Sequence, residues 1–173
     1  MLIILCGLPG TGKTSIAKEL ARRAAFVLIR IDSIENGLKN SSLHLDPCED
    51  GGYMAAYAIA LDNLHLGHTV IADSVNPIQL TQAAWLDVAE RADVRAIEIE
   101  IICSNIAEHR TRVEGRVPDL PRQSMPNWED IKTREYTSPP HPALILDTAQ
   151  KTIGDCVDEL ITLIKPTAGL PES

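Results

Sequence analysis

The chain has 173 residues, 45% of them hydrophobic and 23% charged, enough for one domain that buries its own core without staples or metals. Its formal net charge of -8 denies it a general affinity for polyanions, so a phosphate site must be local and a nucleic-acid partner is not expected. The four cysteines form no CxxC pair, which fits a reducing, cytoplasmic setting. No apolar run approaches the roughly 18 residues of a membrane span, and Leu2 to Leu5 is too short for a signal segment.

In chain order, Leu2 to Cys6 is an uninterrupted apolar run, as a strand buried on both faces should be. Ile16, Leu20 and Ala24 then share one face of a helix. Phe26 to Ile31 reads as a second strand, running into Asp32 and Ser33, and Thr69 to Ala72 as a third, running into Asp73 and Ser74. Between these two, residues 36–53 read as an insertion facing the substrate side. Asn76 with Gln79, and Pro77 between them, looks like the capped start of a helix through Trp85 to about Arg91.

Ile97 to Ile102 alternates with Glu98 and Glu100, so the fourth strand is expected to turn one face to water or to basic partners. Residues 115–126 carry three prolines and no periodicity, and read as a long loop between helices. Ala143 to Leu146 is a fifth apolar strand, expected to be covered on both sides. Ile153, Val157, Leu160, Ile161 and Ile164 form the apolar face of a last helix, started by Thr152 with Asp155. Strand and helix in alternation predict a three-layer α/β fold, a parallel sheet with helices on both faces. A single domain spans 1–166, with a lid at about 112–126 and a frayed tail at 167–173.

Gly7-Leu8-Pro9-Gly10-Thr11-Gly12-Lys13-Thr14 matches GxxxxGK[ST] and stands where that motif works, after a buried strand and opening an amphipathic helix. Its glycines let the backbone turn N–H groups inward around an anion, and the helix start adds its positive dipole end. Lys13 is placed to reach the β and γ phosphates of Mg-ATP, and Thr14, followed by Ser15, to offer a hydroxyl to Mg²⁺.

In an open parallel sheet the ligand lies beyond the carboxyl ends of the strands, where Asp32 and Asp73 stand. Asp73 has the form of an acid that holds Mg²⁺ through its water shell, and Asp32 that of a base for an acceptor hydroxyl. The two roles are exchangeable at this level, and either acid can instead cap the helix that follows. Arg110, Arg112, Arg116 and Arg122 gather in an acidic chain around the proline-rich loop, as expected of a lid that stabilises charge on a migrating phosphoryl group. A solvated helix face with a Glu108 to Arg112 pair would give the same pattern. His44, His65, His68, His109 and His141 show no metal spacing and read as surface or capping groups. Trp85, Trp128, Tyr53 and Tyr57 read as packing residues.

These residues resemble the small P-loop kinases of the AAA-type P-loop ATPases, the group of chloramphenicol phosphotransferase, gluconate kinase and the phage polynucleotide kinase domain. Arg30-Ile31-Asp32-Ser33-Ile34-Glu35, with Asp50-Gly51-Gly52 later, looks like the acid-bearing second strand and insertion of the chloramphenicol enzyme. Asp73-Ser74-Val75-Asn76-Pro77 looks like the segment after the third strand of polynucleotide kinases, and Arg112-Val113-Glu114-Gly115-Arg116 like the lid entrance of adenylate kinases. The resemblance implies a five-stranded sheet in the order 2-3-1-4-5, Asp32 as base, Lys13 and Arg116 on phosphate and Arg112 near adenine. Polynucleotide kinases carry an essential arginine shortly after the acid, where this chain has Ser33, Ile34, Glu35 and Asn36, which argues against a polynucleotide acceptor. The insertion holds no basic residue except Lys39, which argues against nucleoside monophosphates. The expected activity is transfer of the γ-phosphoryl group of ATP to the hydroxyl of a small uncharged molecule; the alternatives are a polynucleotide or nucleotide kinase, and an ATP-binding regulatory switch.

Overall fold

The computed structural model describes residues 1–42 and 44–164. The domain end expected at 166 and the tail 167–173 lie outside the described residues. Five parallel strands, β1 (Leu2–Cys6), β2 (Val27–Arg30), β3 (Val70–Asp73), β4 (Ala96–Ile102) and β5 (Leu144–Asp147), form one sheet in the order β2-β3-β1-β4-β5. Among the described residues seven helices connect or follow them: α1 (Lys13–Ala24), α2 (Ile31–Asn40), α3 (Gly51–His65), α4 (Gln79–Arg91), α5 (Ile106–Glu114), α6 (Trp128–Thr133) and α7 (Ile153–Ile164).

The alternation of side chains along β1 divides the core in two. Ile3 and Leu5 meet Ile16, Leu20, Val157 and Leu160 of α1 and α7 on one face, and Leu2 and Ile4 meet Ala56, Ala60, Trp85 and Val88 of α3 and α4 on the other. Tyr57 packs edge-on against Trp85 at 4.7 Å. The register sets Leu5 and Arg30 level with Asp73, so the carboxyl ends of β1, β2 and β3 finish side by side.

Several local expectations are corrected. The second strand stops at Arg30 and α2 begins at once, so Asp32 lies in the first turn of a helix without capping it. The stretch 36–53 is helical at both ends, α2 running to Asn40 and α3 starting at Gly51, where Glu35 packs onto Gly52. Asn76 does not cap α4, whose first residue is Gln79 and which has no side-chain cap. Asn76 is instead fully buried in a left-handed turn (φ 51°), its N–H donating to the Tyr53 hydroxyl at 3.3 Å and its carbonyl accepting from Gln82 at 3.3 Å. Thr152 and Asp155 do cap α7: the Asp155 N–H donates to Thr152 Oγ1 at 3.2 Å and the Thr152 N–H to Asp155 Oδ2 at 3.1 Å.

The polar face of β4 is largely covered: Glu98 keeps partial exposure to water, but Glu100 does not. Glu100 is buried and accepts hydrogen bonds from Tyr136 (2.9 Å) and Ser138 (2.7 Å), in a segment after α6 that Gln82 also holds through Thr137 O at 2.7 Å. The fifth strand, conversely, is not covered on both sides: it ends the sheet, and Ile145 is 54% exposed.

Candidate functional site

The phosphate loop is built by β1 delivering Gly7 against its neighbours. Gly7 has φ 133°, and a Cβ there would enter the carbonyl of Ile101, so only glycine lets β1 turn at this point. Gly10 (φ 86°) is pressed against α5, where a Cβ would stand 2.5 Å from Val113 Cγ2. Two residues pin the loop from outside. His109, buried on α5 and edge-on to Trp128 at 5.2 Å, donates from Nε2 to Pro9 O at 2.8 Å. Thr148 Oγ1, just past β5, lies within hydrogen-bond distance of Thr11 O (2.9 Å) and Ile102 O (3.0 Å), and accepts from Arg112 Nη1 at 2.8 Å. His109 is thus a loop anchor, not a surface group.

Lys13, 7% exposed, donates to Leu8 O at 2.8 Å. Burial lowers its ammonium to about 8; Asp73 and Asp32 oppose that shift, and Arg116 adds to it. Asp73, only 3% exposed at the end of β3, has its carboxyl raised by burial, against the pull of Lys13 and the Thr14 hydroxyl, and its Oδ2 has no hydrogen-bond partner. Asp32 is the open acid, its side chain 46% exposed and 3.5 Å from Arg30 Nη2.

A cleft of about 550 Å³ joins these groups. Pro9, Gly10, Gly12, Lys13, Thr14 and Ser15 line its floor, whereas Gly7, Leu8 and Thr11 of the same loop do not line it. One end is closed by Arg112, Thr148, Lys151, Ile153 and Cys156, the other by Asp32, Asp73, Ser74, Val75 and Arg134, with Arg116 also on the wall. Of the four lid arginines, then, two reach the cleft. Arg110 pairs with Glu114 on the surface at 2.7 Å, and Arg122 is exposed. Arg112 makes the expected pair with Glu108 and still borders the cleft. No described residue of 36–53 lines it.

Sequence reasoning missed His109, Thr148 and Arg134. Arg134 brings a cation to the acid-bearing end, where its charge acts on Glu35, and its guanidinium has no hydrogen bond or ion pair among the described residues. Nothing local in the sequence marks it, because it arrives from beyond the proline-rich loop.

The site fits a nucleoside triphosphate with Mg²⁺. A loop turned by glycines at positive φ (Gly7, Gly10, Gly12) at the start of a helix suits phosphate, and the orphaned Asp73 Oδ2 beside Thr14 suits a hydrated cation. Among the described residues no cluster of three or more His, Cys, Asp or Glu side chains could hold a metal, so phosphate and water would complete such a shell.

A 2-3-1-4-5 parallel sheet with a glycine loop between β1 and α1 and an acid at the end of β3 defines a P-loop protein with the fold of the small kinases. The chain belongs to the AAA domain family, whose model matches residues 2–133. Among solved structures it is similar to a protein of Chloroflexus aurantiacus j-10-fl assigned as a kinase (20% identity, TM-score 0.74, covering 95% of this chain and 98% of that one). It is also similar to the Mycobacterium tuberculosis APS kinase CysC in complex with AMPPNP and APS (18%, TM-score 0.70, 95% and 97%). A third similar structure is Chaetomium thermophilum Kti12 in complex with ADP-AlF3 (21%, TM-score 0.66, 96% and 100%). At these identities the likeness is one of fold. No curated protein matches the chain in sequence. Among the described residues no helix is long and apolar enough to cross a membrane.

Proposed function

We propose that the chain is an ATP-dependent kinase that passes the γ-phosphoryl group to a hydroxyl of a small molecule. The observation that carries this reading is a single cleft running without a break from the phosphate loop to an open carboxylate, Asp32, at its far end. A protein that only binds nucleotide has no need of that second half.

In this reading the loop N–H groups and Lys13 hold the β and γ phosphates, and Arg116 meets the charge that spreads over the migrating group. Arg112, already fixed by Glu108 and Thr148, borders the base. Mg²⁺, held by Thr14 and Asp73, would supply charge neutralisation across the phosphates. Asp32 accepts the proton of the acceptor hydroxyl as its oxygen bonds to phosphorus and ADP departs. The acceptor lies among Asp32, Ser74, Val75 and Arg134. Four free thiols support a cytoplasmic location.

Asp32→Asn is expected to reduce transfer at least about 100-fold, the usual worth of a general base, while leaving affinity for an ATP analogue within about twofold. Discovery of the acceptor by screening hydroxyl compounds for stimulated ADP release provides the assay. Full transfer by the Asn variant would remove Asp32 from the mechanism.

A further inference from the structure

Arg30 stands at the end of β2 with its side chain 5% exposed, between the two acids of the site and the proline-rich loop. Its Nη1 and Nη2 donate to Asp119 Oδ2 and Oδ1 at 2.8 and 2.9 Å, a bidentate pair. Lys18 of α1 reaches the same carboxylate at 2.6 Å, and together Arg30 and Lys18 hold the Asp119 carboxyl well below the usual range. The loop is seated at two further points, Asn36 Nδ2 on Pro121 O (2.8 Å) and Gln123 Nε2 on Asp32 Oδ2 (3.4 Å). The acids of the site stand further from the same guanidinium: Asp32 Oδ2 is 3.5 Å from Nη2 and Asp73 Oδ2 3.9 Å from Nε, and that Nε has no hydrogen-bond partner.

A buried guanidinium cannot remain without an anion, since the cost of an uncompensated charge in the interior is several kcal/mol. With Asp119 in place that need is met from the loop side. With Asp119 withdrawn, the nearest anions are Asp32 and Asp73, and a small rotation of the Arg30 side chain closes the remaining distance to either. The loop and the site therefore compete for one cation.

We propose that Arg30 is a positioning residue that couples the seating of the 115–126 loop to the readiness of the two acids. While Asp119 holds both terminal nitrogens of Arg30, Asp32 has only the long contacts to Gln123 (3.4 Å) and Arg30 (3.5 Å) and can accept a proton, and Asp73 can serve the metal; when the loop lifts, Arg30 folds onto them and occupies both. The site is thereby quiet whenever the loop would admit water, and no additional part is needed to suppress futile hydrolysis. This inference rests on the roles proposed above for Asp32 and Asp73.

The test requires no knowledge of the acceptor. Binding of a fluorescent ATP analogue is titrated with Mg²⁺, and basal ATP hydrolysis is recorded beside it. Asp119→Asn, similar in shape but uncharged, is expected to raise the Mg²⁺ needed for half-maximal binding about 10-fold while Mg²⁺-free binding stays within about twofold. Adding Arg30→Met to Asp119→Asn is expected to bring the Mg²⁺ dependence back to within about threefold of the parent protein, because the competing cation is gone. Lys18→Gln, which loosens the loop without releasing Arg30, is expected to leave the Mg²⁺ dependence unchanged. A double variant that folds, by circular dichroism, and binds as poorly as Asp119→Asn overturns the proposal, and so does a Lys18→Gln variant as impaired as Asp119→Asn. If substitution of Arg30 prevents folding, the comparison of Asp119→Asn with Lys18→Gln decides alone. Failure of the parent protein to bind the analogue in a Mg²⁺-dependent way would overturn the nucleotide reading itself, a result distinct from an Asp119→Asn variant that binds like the parent.

Discussion

Burial brings the Lys13 ammonium to about 8, so in the free protein it is charged at neutral pH and loses its proton a little above it. Bound phosphates favour the ammonium and raise that value, so nucleotide binding takes up a proton at alkaline pH. Affinity is then full below about 8 and falls as pH rises, by about 10-fold between pH 7 and pH 9. Calorimetric titrations in buffers of different ionisation heat measure both the affinity and the proton; a binding constant flat from pH 7 to pH 9 would refute the claim. Lys13 and Thr14 are legible in the sequence because their spacing from Gly7 and Gly12 is itself the chemistry. The place of Asp73 is legible because a strand end can be counted, whereas Asp32 is found at the cleft although it stands in the first turn of α2 and not at the end of β2. Arg134 and the Arg30 to Asp119 pair are not legible, since Arg134 acts on Glu35 from a distant part of the chain and Asp119 lies 89 residues from Arg30.

The phosphate loop is held by α5 and by the turn after β5 rather than by its own bonds alone. His109→Ala removes the donor to Pro9 O and leaves a buried carbonyl and a void, for an expected loss of about 1–3 kcal/mol in stability. Weaker binding of an ATP analogue should accompany it, and His109→Gln, which keeps an N–H, should lose less. Chemical unfolding with a parallel binding titration checks both; equal loss in the two variants would show that the hydrogen bond is immaterial. Elements whose cause is local were readable, such as the uninterrupted apolar β1 and the Thr152 cap of α7. The Asn76 cap was misread because the same short polar side chain serves a left-handed turn equally well, and contacts to Tyr53 and Gln82 decide between the two.

The sheet divides one hydrophobic core into two, and Trp85 is the largest side chain fully buried, in the half under α3 and α4. Trp85→Ala should cost about 3–5 kcal/mol and lower the Tm by roughly 6–20 °C, measured by scanning calorimetry. A smaller shift would mean that the α3 and α4 layer can collapse into the space. The three-layer architecture was readable from alternating patterns, whereas the cover over Glu100 and the exposure of Ile145 were not, because the first depends on Tyr136 and Ser138 arriving from beyond α6 and the second on β5 standing at the edge of the sheet. Thr148 joins two distant parts of the chain, its hydroxyl meeting the carbonyl of Thr11 across 137 residues. One wall of the cleft, from Thr148 to Cys156, is therefore supplied by residues far along the chain from the glycine loop they brace. A variant cut before β5 would keep the glycine loop itself yet lose that wall and the brace on Thr11, and is expected to hold nucleotide poorly and to yield to proteolysis.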